Sequence, residues 1–236
     1  DLFGMNAAGT DAKMRNTKES ILEAQFTSGA GNWCTWMFGR DLVNWNNNFT
    51  WAKWVTPSRD LISAFKQEGD EVRFKESIVY YDCNWSNYYP SDNYPFMYKC
   101  RSANSSIIKY RYADVLLLKA EALIMQDTPD LEGAADIIDE VRDRAKLGAL
   151  PTSVRSNKNV LLNALLKERR LELAFEGQRW FDLVRLDKVE EVMNAVYAKD
   201  SGRKAQIYTF DKNSYRLPIP QSVIDANDKI HQNPGY

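Results

Sequence analysis

Two groups of side chains have the residue types and spacing that chemistry requires. The first is a run of aromatic and amide residues from Trp33 to Trp54, continued by a smaller set around Trp85 and Tyr88. A sugar ring presents a face of C–H groups and an edge of hydroxyls, so a glycan site needs aromatic rings beside planar polar side chains. We therefore expect the following ligand-binding residues: Trp36, Trp45, Asn46, Asn47, Trp51, Trp85 and Tyr88.

Trp45 and Trp51 are the strongest candidates in this group. They flank Asn46–Asn48, and a run of asparagines has no role in a core and favours a surface turn. The alternative is that the rings form the core of a region poor in helices, since tryptophans are usually largely buried. A binding role predicts that Trp45→Ala or Trp51→Ala lowers affinity and leaves the melting temperature nearly unchanged.

The second group is a row of carboxylates at Glu168, Glu172 and Glu176, which share one face of a helix. Paired carboxylates suggest a glycoside hydrolase. A general acid needs a raised pKa, however, and nearby guanidinium groups would keep these acids ionised. We expect ion pairs between helices and no catalysis, with four arginines as partners: Arg169, Arg170, Arg179 and Arg185.

Composition excludes several other classes of function. The 236 residues carry a net charge of -1 and no basic stripe, which argues against a nucleic-acid partner. No apolar stretch exceeds four residues, so no segment is long enough to span a bilayer. Cys34, Cys83, Cys100 and the single His231 have no metal-ligand spacing, and neither a metal nor a cofactor is expected. A Cys83–Cys100 disulfide and buried thiols both remain open.

Helical periods that could position these groups begin at Tyr112. Two helices, Tyr112–Met125 and Leu131 to Ala145, are separated by Thr128-Pro129-Asp130, in which Thr128 or Asp130 can cap the second helix and Gly148 can follow its end. Small residues would let the two pack as an antiparallel, tetratricopeptide-like pair: Ala120, Ala122, Ala134 and Ala135. The apolar face of the first helix is expected at Val115, Leu118, Ala122 and Met125, widened by Leu116 and Leu123.

Further helices are expected over Val160 to Phe175, with Ser156 as the cap, and over Val189 to Tyr197. Between them the pattern resumes at Trp180, after an interruption at Gly177. Pro218 and Pro220 require an extended segment, because proline fixes its own φ and restricts the residue before it. We expect this segment to lie across the helices as a strap.

The N-terminal half has a different character. Of 29 aromatic residues, 21 precede Ala113, and the periodicity there is weak apart from one helix that follows Thr56-Pro57-Ser58. Long loops with aromatic packing are expected. The chain thus divides into a loop-rich ligand-binding region, residues 1–108, and a helical scaffold, residues 109–236, in a mainly α-helical fold.

Several strings, taken in order, resemble one protein family. They closely resemble the C-terminal half of the SusD/RagB family, and two earlier fragments extend the resemblance over nearly the whole chain. One fragment is similar to the family's Glu-Ser-Ile strand and the other to its helix before an Asp-Arg turn at Asp70 and Arg73. The strings are Lys109–Ala122, Glu168–Arg185, Leu217–Pro220 and Gln232–Tyr236, and the fragments are Asn16–Gln25 and Pro57–Phe65.

The resemblance implies a function as well as a fold. Members of the family are lipid-anchored on the outer surface of Bacteroidetes-type bacteria, where they capture glycans and present them to a TonB-dependent transporter of the SusC type. The family fold combines tetratricopeptide-like helix pairs with a loop-rich sugar site. The sequence starts at Asp1 without a signal peptide or lipobox cysteine, so we expect a piece of a longer protein, attached to the outer membrane only through an N-terminal lipid anchor that this piece lacks.

Two rival readings remain. The chain could be a transporter lid or scaffold whose ligand is a peptide, because the same helical motifs fit both. A glycoside hydrolase is the other, and it would need two carboxylates facing each other across an open cleft.

Overall fold

The computed structural model describes residues 2–4, 15–27, 31–32, 56–83, 88–101, 104–199 and 209–236. They belong to two compact units, Asp1–Gln178 and Arg179–Tyr236. Both units are mainly helical, which confirms the predicted fold class. No helix in the described ranges is both long and apolar enough to cross a membrane. The predicted division into a ligand-binding region, residues 1–108, and a scaffold, residues 109–236, stays a prediction.

The first unit contains four short strands and six helices in its described part. The strands are β1 (Ser20–Ala24), β2 (Ile78–Tyr81), β3 (Tyr94–Met97) and β4 (Ile107–Arg111). The helices are α1 (Arg59–Glu68), α2 (Glu71–Ser77), α3 (Tyr112–Met125), α4 (Leu131–Arg144), α5 (Thr152–Arg155) and α6 (Lys158–Glu172).

The core of the first unit lies between α3, α4 and α6. Ala120 of α3 and Ala134 and Ala135 of α4 are fully buried, as small residues must be where helices approach closely. Larger side chains surround these contacts, and burying each of them stabilises the fold by about 1.5–3 kcal/mol. They are Leu117, Ile124, Ile138, Leu161 and Leu165.

The predicted apolar face of α3 is wrong at Val115, Leu118, Ala122 and Met125, although Leu116 and Leu123, expected to widen that face, pack against the core. Val115, Leu118 and Met125 are exposed by 45%, 41% and 53%, whereas Leu117 and Ile124 are fully buried. The helix is apolar on most of its circumference, so spacing alone fits more than one face. Packing selected the face on which small residues allow the neighbouring helix to approach.

Side chains cap the starts of four helices of the first unit, α1, α2, α4 and α6. Ser58 caps α1 by accepting from the Leu61 N–H at 3.1 Å, as the sequence predicts, and Asp130 caps α4. The predicted cap of α6 is wrong by one residue, because the Asn157 side chain accepts from the Asn159 and Val160 N–H groups. The left-handed residue after α4 is Lys146 (φ 60°) rather than Gly148.

The strands form two antiparallel pairs. β1 pairs with β4 from Ser20 opposite Arg111 to Ala24 opposite Ile107, with irregular register around Leu22. β2 pairs with β3 in regular register. β4 leads directly into α3, which places Arg111 at the junction of a strand and a helix.

The second unit contains α7 (Arg179–Arg185), α8 (Val189–Lys199), a 3₁₀ turn (Lys212–Tyr215) and α9 (Gln221–Asp225). The segment Leu217–Pro220 is extended between the turn and α9, as the prolines require. Gln232 holds it by accepting from the Ile219 N–H at 2.8 Å and donating to the Ile219 carbonyl at 2.9 Å.

Candidate functional site

Tyr88 is the predicted ligand-binding residue that the structure describes. The others, including both preferred tryptophans, lie outside the described residues: Trp36, Trp45, Asn46, Asn47, Trp51 and Trp85.

Tyr88 is half-buried and packed against a cation. The Arg59 guanidinium carbon lies 3.8 Å from the centroid of the Tyr88 ring, and the Tyr89 ring meets Tyr88 edge-on at 4.8 Å between centroids. Arg59 is the first residue of α1 and also donates to the Tyr88 carbonyl. A cation on a ring face is attracted by the ring quadrupole. The arrangement fixes the orientation of the Tyr88 ring beside the start of α1.

The neighbouring tyrosines are structural. Tyr89 donates its hydroxyl to the Pro57 carbonyl at 2.7 Å. Tyr94 is only 3% exposed and belongs to a small core with Cys83 and Phe96. Tyr94 is therefore a core residue and not a ligand-binding ring.

The carboxylate row, Glu168, Glu172 and Glu176, is buried in a network of cations. The prediction that all three share one face of a helix is wrong for Glu176, because α6 ends at Glu172 and Glu176 lies in the turns that follow. Glu168 is 2% exposed. Arg73 donates to its Oε1 at 2.5 Å and Arg142 to its Oε2 at 3.3 Å. Arg73 comes from α2, where it also pairs with Asp70, the residue that caps this helix. Both oxygens of Glu168 are thus engaged by guanidinium groups from other helices.

Arg111 joins the remaining two glutamates. It is 2% exposed and donates to Glu172 Oε1 and to Glu176 Oε2, each at 2.6 Å. Glu172 also pairs with Arg144, and the ammonium of Lys99 lies 2.6 Å from Glu176. The predicted ion pairing of the carboxylate row is confirmed.

Three of the arginines predicted to pair with these glutamates, Arg169, Arg170 and Arg185, pair with aspartates instead. Arg169 pairs with Asp114 at 2.9 Å and Arg170 with Asp60 at 2.5 Å. In the second unit, which begins at Arg179, Arg185 pairs with Asp182. Residues close in sequence on a helix point to different sides, so partners of a buried row come from other elements.

Burial and charge compete over the pKa of each glutamate. Burial alone would raise the pKa of Glu172, but Arg111, Arg144 and Lys99 outweigh it and hold that pKa well below its ordinary value. Burial would also raise the pKa of Glu176, but Lys99 and Arg111 outweigh it and lower that pKa. For Glu168, burial prevails over Arg73 and raises the pKa.

A raised pKa alone does not make Glu168 a general acid. A catalytic carboxyl must come within hydrogen-bond reach of the substrate. Glu168 is almost inaccessible, and arginine side chains occupy both of its oxygens. The row therefore acts as a structural junction.

A cleft of about 430 Å³ borders this network. Guanidinium groups line the cleft, and that of Arg144 is half exposed. Residues of α2 form part of its wall. In the part of the chain that the structure describes, no group of His, Cys, Asp and Glu side chains could hold a metal ion. The lining side chains that carry charge are Arg73, Glu76, Lys99, Arg111, Arg144 and Glu172.

Comparison with known proteins identifies a family. A sequence model described as the SusD family matches residues 97–236. The SusD-like protein P2 of Formosa agariphila is 36% identical over 143 residues, which cover 58% of this chain and 27% of that protein. The chain thus spans about a quarter of the length of this curated relative.

Solved structures agree on the fold. A laminarin-binding SusD-like protein is 25% identical, with a TM-score of 0.64, over 95% of this chain and 51% of the other. Surface glycan-binding protein A from Bacteroides thetaiotaomicron has a TM-score of 0.66 at 21% identity, over 92% of this chain and 52% of the other. Both matches cover about half of the solved protein.

Proposed function

Because the chain belongs to the SusD family, we propose that it is part of a cell-surface protein that binds glycans and passes them to a TonB-dependent transporter of the SusC type. The family match over residues 97–236 is the observation that carries the proposal. Its similarity to a laminarin-binding SusD-like protein favours an oligosaccharide as the ligand. In the full-length protein, an N-terminal lipid anchor would hold it on the external face of the outer membrane.

The described residues support a binding role near the edge of the first unit. Tyr88 offers a half-buried ring that Arg59 holds in a fixed orientation. Asp92 and Asn93, in the turn before β3, are exposed and can hydrogen-bond to hydroxyls. We propose that Tyr88 forms one side of a sugar site, together with Trp36, Trp45, Asn46, Asn47, Trp51 and Trp85.

Binding without turnover is part of the proposal. The carboxylates of Glu168, Glu172 and Glu176 are engaged by arginine and lysine side chains, so they are not available to protonate a glycosidic oxygen. A purified protein that hydrolysed its bound glycan would contradict this part and revive the hydrolase reading.

The proposal is tested by isothermal titration calorimetry of the full-length protein with a panel of oligosaccharides that includes laminarioligosaccharides. Heat of binding with at least one glycan is expected. No heat with any glycan, while peptides do bind, would favour the rival function, a transporter lid with a peptide ligand.

Single substitutions then locate the site. Trp45→Ala, Trp51→Ala or Tyr88→Ala should weaken binding at least about fivefold, about 1 kcal/mol. In Trp45→Ala and Trp51→Ala the melting temperature should change by less than about 2 °C if the ring is exposed. Tyr88 is half-buried, so Tyr88→Ala is judged by its affinity. Tyr110→Ala is the matched control, since Tyr110 is a 54% exposed ring in β4 outside the predicted site. A large fall in melting temperature would instead assign the ring to the core.

A further inference from the structure

The second unit contains a cavity of about 480 Å³. This volume lies in the range of about 300–1,000 Å³ typical of small-molecule sites. Aromatic rings and short polar side chains line it together. Those used below are Trp180, Phe210, Asp211, Asn213, Ser214 and Tyr236.

The aromatic wall is held in place by packing and by hydrogen bonds. The Trp180 ring, on α7, lies 6.3 Å from the Phe210 ring, and Tyr197 of α8 meets Phe210 edge-on at 5.3 Å. The Asn194 side chain donates to the Phe210 carbonyl and accepts from its N–H, each at 2.9 Å. The wall is therefore formed before any ligand arrives.

The polar wall is the 3₁₀ turn. Asp211 caps it by accepting from the Asn213 N–H at 2.8 Å and the Ser214 N–H at 3.2 Å, while the Ser214 hydroxyl accepts from the Asp211 N–H. This capping box fixes a carboxylate, an amide and a hydroxyl at one side of the cavity.

Tyr236 completes the rim. Gly235 has φ +96°, and a Cβ at this position would lie 2.7 Å from Asn213 Cβ, so only glycine allows the two segments to approach so closely. The Tyr236 hydroxyl donates to the Arg216 carbonyl at 3.1 Å, and the residue is 58% exposed. A ring is thus positioned at the cavity with most of its surface open.

The polar side of the cavity can hydrogen-bond to a ligand. The exposed Asn213 side chain carries an amide oxygen that accepts and an amide nitrogen that donates. Asp211 is exposed and its carboxylate can accept further hydrogen bonds. An apolar ligand would leave these groups unpaired, which is unfavourable.

We infer that this cavity binds a pyranose ring of a glycan, as a site separate from the one proposed around Tyr88. Trp180 and Tyr236 would cover the C–H face of the sugar, and Asn213 and Asp211 would pair with its hydroxyls. The inference rests on the proposed function for the class of ligand. It adds a second site on the second unit.

The test is NMR of the indole N–H signals of the whole chain during titration with glucose and with laminarihexaose. The Trp180 signal is assigned by its loss in Trp180→Phe. Saturable movement of the Trp180 signal is expected. Tyr236→Ala should weaken this binding at least about fivefold, whereas Tyr236→Phe, which keeps the ring, should stay within about twofold.

Val223→Ala is the matched control, because Val223 is an exposed apolar residue of the same unit, on α9 away from the cavity lining. It should leave the Trp180 titration unchanged. If calorimetry shows glycan binding but the Trp180 signal does not move, the inference fails and the proposed function survives. If the signal moves and Tyr236→Ala has no effect, the assigned site is wrong. If the protein binds no glycan at all, both fail.

Discussion

Arg111 is the side chain on which most of the buried charge network depends. It donates to Glu172 and Glu176 on one side and to Glu19 at 3.0 Å on the other. A guanidinium can do this because it has five N–H donors in a rigid plane, whereas an ammonium is a compact point charge. One residue thus links the segment before β1, the start of α3 and the end of α6.

Arg111→Lys should therefore destabilise the protein although the charge is kept. We expect a loss of about 1.5–3 kcal/mol in the free energy of unfolding, because a lysine cannot make all the hydrogen bonds that Arg111 donates to Glu172, Glu176 and Glu19. Urea denaturation followed by circular dichroism measures it. Glu71→Gln is the control, since the Lys75–Glu71 pair is exposed and solvent screens it, so its loss should change stability little. Equal effects of the two substitutions would show that the network adds no stability.

The sequence could not reveal the role of Arg111, because its partners are distant along the chain. Glu172 is 61 residues away and Glu19 is 92 residues away. Helical spacing predicts that Glu168 and Glu172 share one face of α6 but fails for Glu176, because the helix ends at Glu172. The ionised state of Glu172 follows from any nearby cations. Which cations these are depends on how β4, α2 and α4 pack against α6.

At the scale of elements, local chemistry predicted the helices better than the strands. The cap at Ser58 and the restart at Asp130 can be read from the sequence, since a capping side chain acts on neighbouring residues. β2 and β3 carry no clear alternation, because Tyr94 to Met97 are all buried. The cavity of the second unit cannot be predicted from the sequence either, since two of its lining residues, Trp180 and Tyr236, lie near opposite ends of that part of the chain.

The buried face of α3 gives the sharpest test at this scale. Leu117 is fully buried and its neighbour Leu118 is 41% exposed. Leu117→Ala should cost about 2–5 kcal/mol, through lost burial and the cavity it leaves. Leu118→Ala makes the same chemical change on the same helix and should cost less than about 1 kcal/mol.

Urea denaturation of the two variants decides which face of α3 is buried. A larger cost for Leu118→Ala would reverse the assignment and restore the face that helical spacing alone predicted. Equal and large costs would indicate that both faces of α3 are covered in the protein in solution.

At the scale of the molecule, buried carboxylates are unevenly distributed between the two units. The first unit contains Glu172 and Glu176, two buried carboxylates whose pKa values are lowered, whereas Asp187 of the second unit, whose pKa is also lowered, is exposed. Carboxylates whose pKa is lowered by folding make stability depend on pH. The first unit is therefore expected to be the more sensitive to acid.

The sign follows from the pKa directions. Glu172 and Glu176 have folded pKa values below the ordinary value of 4.5, so their contribution is present above about pH 4.5 and is lost as the pH falls through the folded pKa. Glu168, with a raised pKa, works in the opposite direction. In the second unit, Asp187 has a lowered pKa, through hydrogen bonds from Lys212 and Tyr215, but it is exposed, so its contribution is small.

Acid should thus loosen the first unit before the second. Hydrogen exchange followed by mass spectrometry at pH 7 and pH 3, with times scaled for intrinsic exchange rates, should show a larger loss of protection in α6 than in α8. In Glu172→Gln this difference should shrink, because that variant is already destabilised at pH 7 and has one fewer carboxylate to protonate. Equal losses in α6 and α8, or earlier loss in α8, would mean that the buried carboxylates do not control the acid response of the first unit.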